Sequence, residues 1–85
     1  MEQTHKDFLR AIVASAIGER AMPASWKPDT PLLGSLAELD SMALLAILTR
    51  IEEDFGVLVD DSEISADIFE SVGSLEQFVG AKLAR

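Results

Sequence analysis

Ser41 is the residue whose position most clearly suggests chemistry. It follows Asp40 where apolar residues begin to recur at helical spacing, after a long segment rich in proline and glycine. Backbone N–H groups and the positive end of the dipole at a helix start favour a phosphate group. Serine is also an ordinary helix cap there. Met42 and Ala46 add an apolar edge beside it, where a simple bundle would have polar residues.

Catalysis by Ser41 would need a general base. The chain has one histidine, His5 near the N-terminus, and a Ser–His pair would require that end to fold back onto the serine. A chain of this size also has little room for a typical substrate pocket. We therefore expect no catalytic residues, and a hydrolase is the weakest of the function classes considered.

The acidic run at Asp60, Asp61 and Glu63 could suggest a calcium site. The spacing and central glycine of an EF-hand loop are absent, so a solvated acidic turn is the better interpretation. The sequence contains no cysteine, which excludes disulfides and cysteine-ligated metals and fits a reducing compartment. We expect no metal site.

The length of the chain indicates one small domain, residues 1–85, and we expect this acidic protein to be a monomer. Its net charge is −8, and residues 41–85 hold nine acids against three bases. This charge disfavours nucleic acid and favours basic protein surfaces. No run approaches the roughly 18 apolar residues of a membrane span, and the N-terminus does not resemble a secretion signal. We expect a cytoplasmic protein without membrane insertion.

Periodicity predicts an all-α bundle of three main helices and one short helix. Helix 1 is expected at about 4–17, helix 2 at about 41–55, the short helix at about 66–71, and the last helix at about 75–84, entered through Ser74 as a cap. Either Asp40 or Ser41 can cap helix 2. We expect residues 57–59 to form an extended link, and the loop 18–40 to be held to the core by apolar side chains: Trp26, Leu32, Leu33, Leu36 and Leu39.

Two spaced segments resemble the acyl carrier protein family, which includes the peptidyl carrier domains. The family hallmark Leu-Gly-x-Asp-Ser-Leu opens a helix that ends in Leu-Glu-Glu-x-Phe-Gly. This chain has Leu39-Asp40-Ser41-Met42 and then Ile51-Glu52-Glu53-Asp54-Phe55-Gly56 at the same spacing. Ser71-Val72-Gly73-Ser74-Leu75 is similar to the family's Thr-Val-Gly-Asp-Leu entry to the final helix. The resemblance covers nearly the whole chain.

The resemblance implies a carrier without catalytic activity. Ser41 would receive 4′-phosphopantetheine from coenzyme A through a magnesium-dependent phosphopantetheinyl transferase, and the thiol of the arm would hold an acyl group as a thioester. Other partners would be an acyl- or aminoacyl-loading ligase and acyltransferases. Helix 2 would be the docking face, with partner recognition assigned to Asp40, Met42, Ala46, Glu52 and Glu53.

The departures from the family pattern point to a specialised carrier. Carriers of fatty-acid synthesis typically have acids two and five residues after the serine, where this chain has Ala43 and Ala46. Residues 33–43 are similar to stand-alone bacterial carriers associated with exopolysaccharide and exosortase systems. An aminoacyl or peptidyl carrier stays open as an alternative. So does a small helical adaptor, in which Ser41 is only a cap.

Overall fold

The computed structural model describes residues 3–33 and 40–84. It contains three α-helices, α1 (Gln3–Ile17), α2 (Ser41–Phe55) and α3 (Val72–Leu83). Three short 3-10 turns accompany them at Glu19–Ala21, Asp61–Glu63 and Ala66–Phe69. No β-strand occurs within the described ranges, so the all-α class is confirmed. The expected fourth helix is a single 3-10 turn, Ala66–Phe69, rather than an α-helix.

One apolar core joins the three helices. Each helix turns one row of aliphatic side chains inward, as its sequence period requires. The fully buried members are Leu9, Ile12 and Val13 of α1, Ile47 and Ile51 of α2, and Val72, Leu75 and Val79 of α3, together with Leu32 and Phe69. Phe8 belongs to the same helical pattern in the sequence, yet it is 52% exposed and packs edge-on against Phe55.

The long first loop is held against the segment that leads into α3. The amides of Leu32 and Leu33 donate to the carbonyls of Glu70 and Phe69 at 3.1 and 2.8 Å. Leu32 is buried, and Trp26 and Leu33 pack against the core. These contacts satisfy backbone groups that a buried loop would otherwise leave unpaired. Leu36 and Leu39, which were also expected to hold the loop, lie outside the described residues.

Helix α3 begins three residues earlier than the sequence predicted, and the prediction of Ser74 as its cap was wrong. Ser71 is the cap: its Oγ accepts from the Ser74 amide at 3.2 Å, and its own amide donates to Ser74 Oγ at 3.0 Å. Both serines can begin a helix, but the earlier start buries Val72 completely and lets its amide donate to the Thr30 carbonyl. Pairing with the first loop therefore decides between two local caps.

Helix α2 is closed at both ends. Its cap is Asp40, whose Oδ1 accepts from the Ala43 amide at 2.9 Å, so Ser41 is the first helical residue and not the cap. At the other end Gly56 adopts a left-handed conformation with φ of 67°, which glycine accepts without steric cost. Residues 57–59 follow without regular structure. Among residues 3–33 and 40–84, none of the helices combines the length and the apolar composition that a membrane span requires.

The cap predicts different effects for two neighbouring substitutions. Asp40→Ala removes the acceptor of the Ala43 amide and should lower the free energy of unfolding by about 1 kcal/mol. Ser41→Ala leaves that hydrogen bond intact and should change it by less than about 0.5 kcal/mol. Urea denaturation of both variants measures the difference. Equal losses in the two variants would show that Asp40 is not the main cap.

Two glycines of α3 provide a matched test of the contact between the first loop and α3. A Cβ on Gly73 would lie 2.7 Å from the Pro28 carbonyl oxygen, which also accepts a hydrogen bond from the Gly73 amide. A Cβ on Gly80 would meet no atom within 4 Å. Gly73→Ala should therefore cost about 1–3 kcal/mol of stability through overpacking. Gly80→Ala should raise the free energy of unfolding by about 0.5–1 kcal/mol. Thermal unfolding of both variants measures this, and a stabilised Gly73→Ala would contradict the close approach.

Candidate functional site

Ser41 lies at the surface at the first position of α2. Its side chain is exposed, and within residues 3–33 and 40–84 its hydroxyl makes no hydrogen bond. The first amides of a helix have no partner inside the helix. The Asp40 carboxylate accepts a hydrogen bond from the Ala43 amide. The amides of Ser41 and Met42 lie next to it, at the positive end of the helix dipole. An exposed hydroxyl beside such amides is accessible to an enzyme and suited to bear a phosphate ester.

The apolar edge beside Ser41 is real and larger than the sequence indicated. Met42 is 81% exposed and Ala46 is also exposed, as expected from their side of the helix. Leu45 is also 59% exposed and belongs to this edge, which was predicted from Met42 and Ala46 alone. The available signal was its spacing: Leu45 is four residues after Ser41, and residues at that spacing share a helix face. Met42, Leu45 and Ala46 therefore form one exposed apolar edge beside Ser41.

A shallow cleft of about 360 Å³ adjoins this edge, where the end of α1 meets the start of α2. It is lined by Ala16, Ile17, Asp40, Met42, Ala43 and Ala46. Ala43 is only 8% exposed and belongs to the core, so the two alanines that replace acids differ in their surroundings. Position 46 faces solvent and position 43 faces the interior.

The structure does not bring Glu52 and Glu53 together with Ser41. They follow it by 11 and 12 residues on the same helix, which is about 16–18 Å along the axis. Glu53 is exposed, whereas the Glu52 carboxylate accepts a hydrogen bond from the Val59 amide at 2.8 Å. Glu52 therefore organises the link after α2, a role that the sequence analysis did not identify.

A Ser41–His5 pair is excluded by geometry. The His5 ring packs edge-on against Phe55 with centroids 5.6 Å apart, and Phe55 is the last residue of α2. Ser41 is the first residue of the same helix and lies about 21 Å from Phe55 along the helix axis. His5 is therefore at the far end of α2 from Ser41. Histidine cannot act as a base for a hydroxyl at that distance.

The acidic turn after α2 has a structural explanation. Asp60 and Glu63 form a capping box around the 3-10 turn Asp61–Glu63, and Glu63 also pairs with Lys82. Among the described residues no group of three or more histidine or acidic side chains is arranged to hold a metal ion. These carboxylates hold the chain in place rather than converge on a common point.

Comparisons with known proteins agree with this geometry. A family model described as the phosphopantetheine attachment site matches residues 7–79. The solution structure of a holo acyl carrier protein from Nitrosomonas europaea superimposes with a TM-score of 0.84 at 39% sequence identity. The superposition covers 99% of this chain and 100% of that one. None of the curated protein sequences matches this chain significantly.

The resemblance stated from the sequence is thus confirmed on two independent grounds, a family match over most of the chain and a close structural relative of equal extent. Proteins of this kind work with a phosphopantetheinyl transferase and with enzymes that handle acyl groups. The exposed hydroxyl at the start of α2 fits such an arm. The chain belongs to the acyl carrier protein family, whose members are carriers with covalently attached 4′-phosphopantetheine and not catalysts.

Proposed function

We propose that Ser41 is the attachment residue of the arm. In the transfer, the Ser41 hydroxyl oxygen forms a bond to the phosphorus of coenzyme A that bears the pantetheine. The pyrophosphate bond breaks, and adenosine 3′,5′-bisphosphate leaves. The hydroxyl proton passes to a base of the transferase, because His5, the one histidine of this chain, packs against Phe55 at the other end of α2. The attached arm supplies a thiol that holds an acyl group as a thioester.

The observation that carries this proposal is the exposed hydroxyl of Ser41 at the first position of α2, which has no hydrogen-bond partner among the described residues. The cap contributes because Asp40, and not the Ser41 hydroxyl, accepts from the Ala43 amide. The neighbouring amides and the helix dipole favour the phosphodiester charge. Ser41 can thus be modified without disturbing the helix start.

We further propose that partners dock on the apolar edge formed by Met42, Leu45 and Ala46, with Asp40 facing a basic surface of the transferase. Exposed apolar side chains on one helix face are typical of a contact surface. Carriers of fatty-acid synthesis typically have an acid where this chain has the exposed Ala46, so this edge favours partners of a different kind. The protein then serves a specialised acyl-transfer pathway rather than housekeeping fatty-acid synthesis.

The attachment is tested by intact mass. Incubation with coenzyme A, magnesium and a broad-specificity transferase should add the mass of one phosphopantetheine group to the wild type and nothing to Ser41→Ala. Ser65 provides a matched control, because it lies at the start of the 3-10 turn Ala66–Phe69, is exposed and makes no capping hydrogen bond. Ser65→Ala should be modified as fully as the wild type.

No mass gain with several transferases would contradict the proposal and favour the adaptor alternative. A gain that persists in Ser41→Ala would place the attachment at another residue. Circular dichroism of both variants, expected to match the wild type, shows that any loss reflects the missing hydroxyl and not unfolding.

The specialised role is tested by malonyl transfer. A general fatty-acid malonyltransferase should load the holo protein several-fold more slowly than it loads a housekeeping carrier. The reason is that position 46 lacks the acidic side chain that would attract the basic surface of the transferase. Ala46→Glu restores one such charge at an exposed position and should raise the rate. Ser62→Glu adds the same charge in the 3-10 turn after α2 and should not. A wild-type rate equal to that of the housekeeping carrier would contradict the specialised role.

A further inference from the structure

A second apolar surface lies at the opposite end of α2 from Ser41. An open cleft of about 860 Å³ is lined by the end of α2, the link that follows it and the end of α3. We call it the distal cleft. Its apolar lining is Phe55, Val57, Leu58, Val59 and Leu83, and its polar rim is Glu52, Asp60, Glu63 and Lys82. Because α2 has 15 residues, this surface lies about 21 Å from Ser41 along the helix axis.

Leu58 dominates this surface, since 84% of it is exposed, the highest value among the exposed large apolar residues described. Its exposure is imposed by a fixed backbone. On its C-terminal side the Val59 amide donates to the Glu52 carboxylate at 2.8 Å, and on its N-terminal side the Val57 amide donates to the Glu52 carbonyl at 3.2 Å. One residue thus holds both neighbours of Leu58 and presents its side chain to solvent.

A second set of contacts holds the far side of the cleft. The Asp60 amide donates to Glu63 Oε2 at 2.8 Å, and Glu63 pairs with Lys82 of α3, whose side chain is 9% exposed. The cleft is therefore framed by α2 and α3, and hydrogen bonds of Val57, Val59 and Asp60 hold the link that lines it. Preorganised surfaces of this kind bind without the entropy cost of ordering a segment.

The charge around Leu58 selects the partner. Residues 50–63 contain six acids and one base: Glu52, Glu53, Asp54, Asp60, Asp61 and Glu63 against Arg50. Lys82 of α3 is a second base at the rim, and both bases are already paired: Arg50 with Asp54 at 3.2 Å, and Lys82 with Glu63. A second copy of this chain would face this charge with its own, and an anionic lipid surface or a nucleic acid would also be repelled. A positively charged protein surface is complementary.

We propose that the distal cleft is a docking surface for a basic partner protein, which places an apolar side chain against Leu58 while its lysine or arginine residues approach the surrounding acids. The site stands apart from the apolar edge around Ser41. A partner seated there leaves Ser41 accessible to a second protein. The proposal does not depend on the assignment of Ser41 as the attachment residue.

The test is a titration of the isotopically labelled full chain followed by NMR. The probe is a synthetic helical peptide with a leucine face flanked by arginines, and its counterpart carries glutamates in place of the arginines. The arginine peptide should shift the amide signals of residues 55–63 and 82–83, and its affinity should fall as salt rises. The glutamate peptide should bind at least about tenfold more weakly.

Two leucines give the matched variants. Leu58→Ser should weaken the arginine peptide about tenfold, since the buried apolar contact is lost. Leu45→Ser removes another exposed leucine from the apolar edge and should change the affinity by less than about twofold. Both side chains are exposed, so both variants should retain the wild-type NMR spectrum outside the substituted residue's surroundings.

Three outcomes would overturn the proposal. Signal shifts confined to residues 41–46 would place the peptide on the apolar edge instead. Equal affinities of the wild type and Leu58→Ser for the arginine peptide would show that Leu58 is not the contact residue. Equal affinities of the arginine and glutamate peptides would show that the acidic residues do not select a basic partner.

Discussion

Burial of Ile47, Leu48 and Ile51 fixes how α2 is rotated in the bundle, and both candidate surfaces depend on that rotation. The helix carries more apolar side chains than one face can hold. Once these three enter the core, helical geometry turns Met42 and Leu45 toward solvent. An exposed apolar edge is unfavourable for an isolated domain, and its position next to an exposed serine supports the proposed docking of partner proteins there.

The ends of α2 are specified independently of its face. Asp40 starts the helix by accepting from the Ala43 amide, which fixes Ser41 at the first position without using its hydroxyl. Gly56 ends it, and the carboxylate of Glu52 then positions the link that follows. The apolar edge and the distal cleft therefore lie at opposite ends of α2. One combines an available hydroxyl with small and apolar residues, and the other combines a fixed leucine with dense negative charge.

The sequence predicted the local features well and the tertiary ones less well. Helical spacing and the Asp40–Ser41 pair were sufficient to locate α2, because periodicity and capping are properties of neighbouring residues. The start of α3 could not be decided locally, since Ser71 and Ser74 are both competent caps. The amides of Val72 and Gly73 bond to the first loop, and that contact selects Ser71. The second role of Glu52 also escaped prediction, because its partner Val59 is seven residues away in a segment without regular structure.

If Ser41 bears the arm, the phosphopantetheine group must be found on this residue when the modified position is determined. The wild-type protein, produced together with a phosphopantetheinyl transferase, would be digested and its fragments sequenced by tandem mass spectrometry. We expect the phosphopantetheine group on the fragment containing Ser41, with loss of the arm converting that residue alone to dehydroalanine. A modified fragment that lacks Ser41, or unmodified protein throughout, would contradict the account.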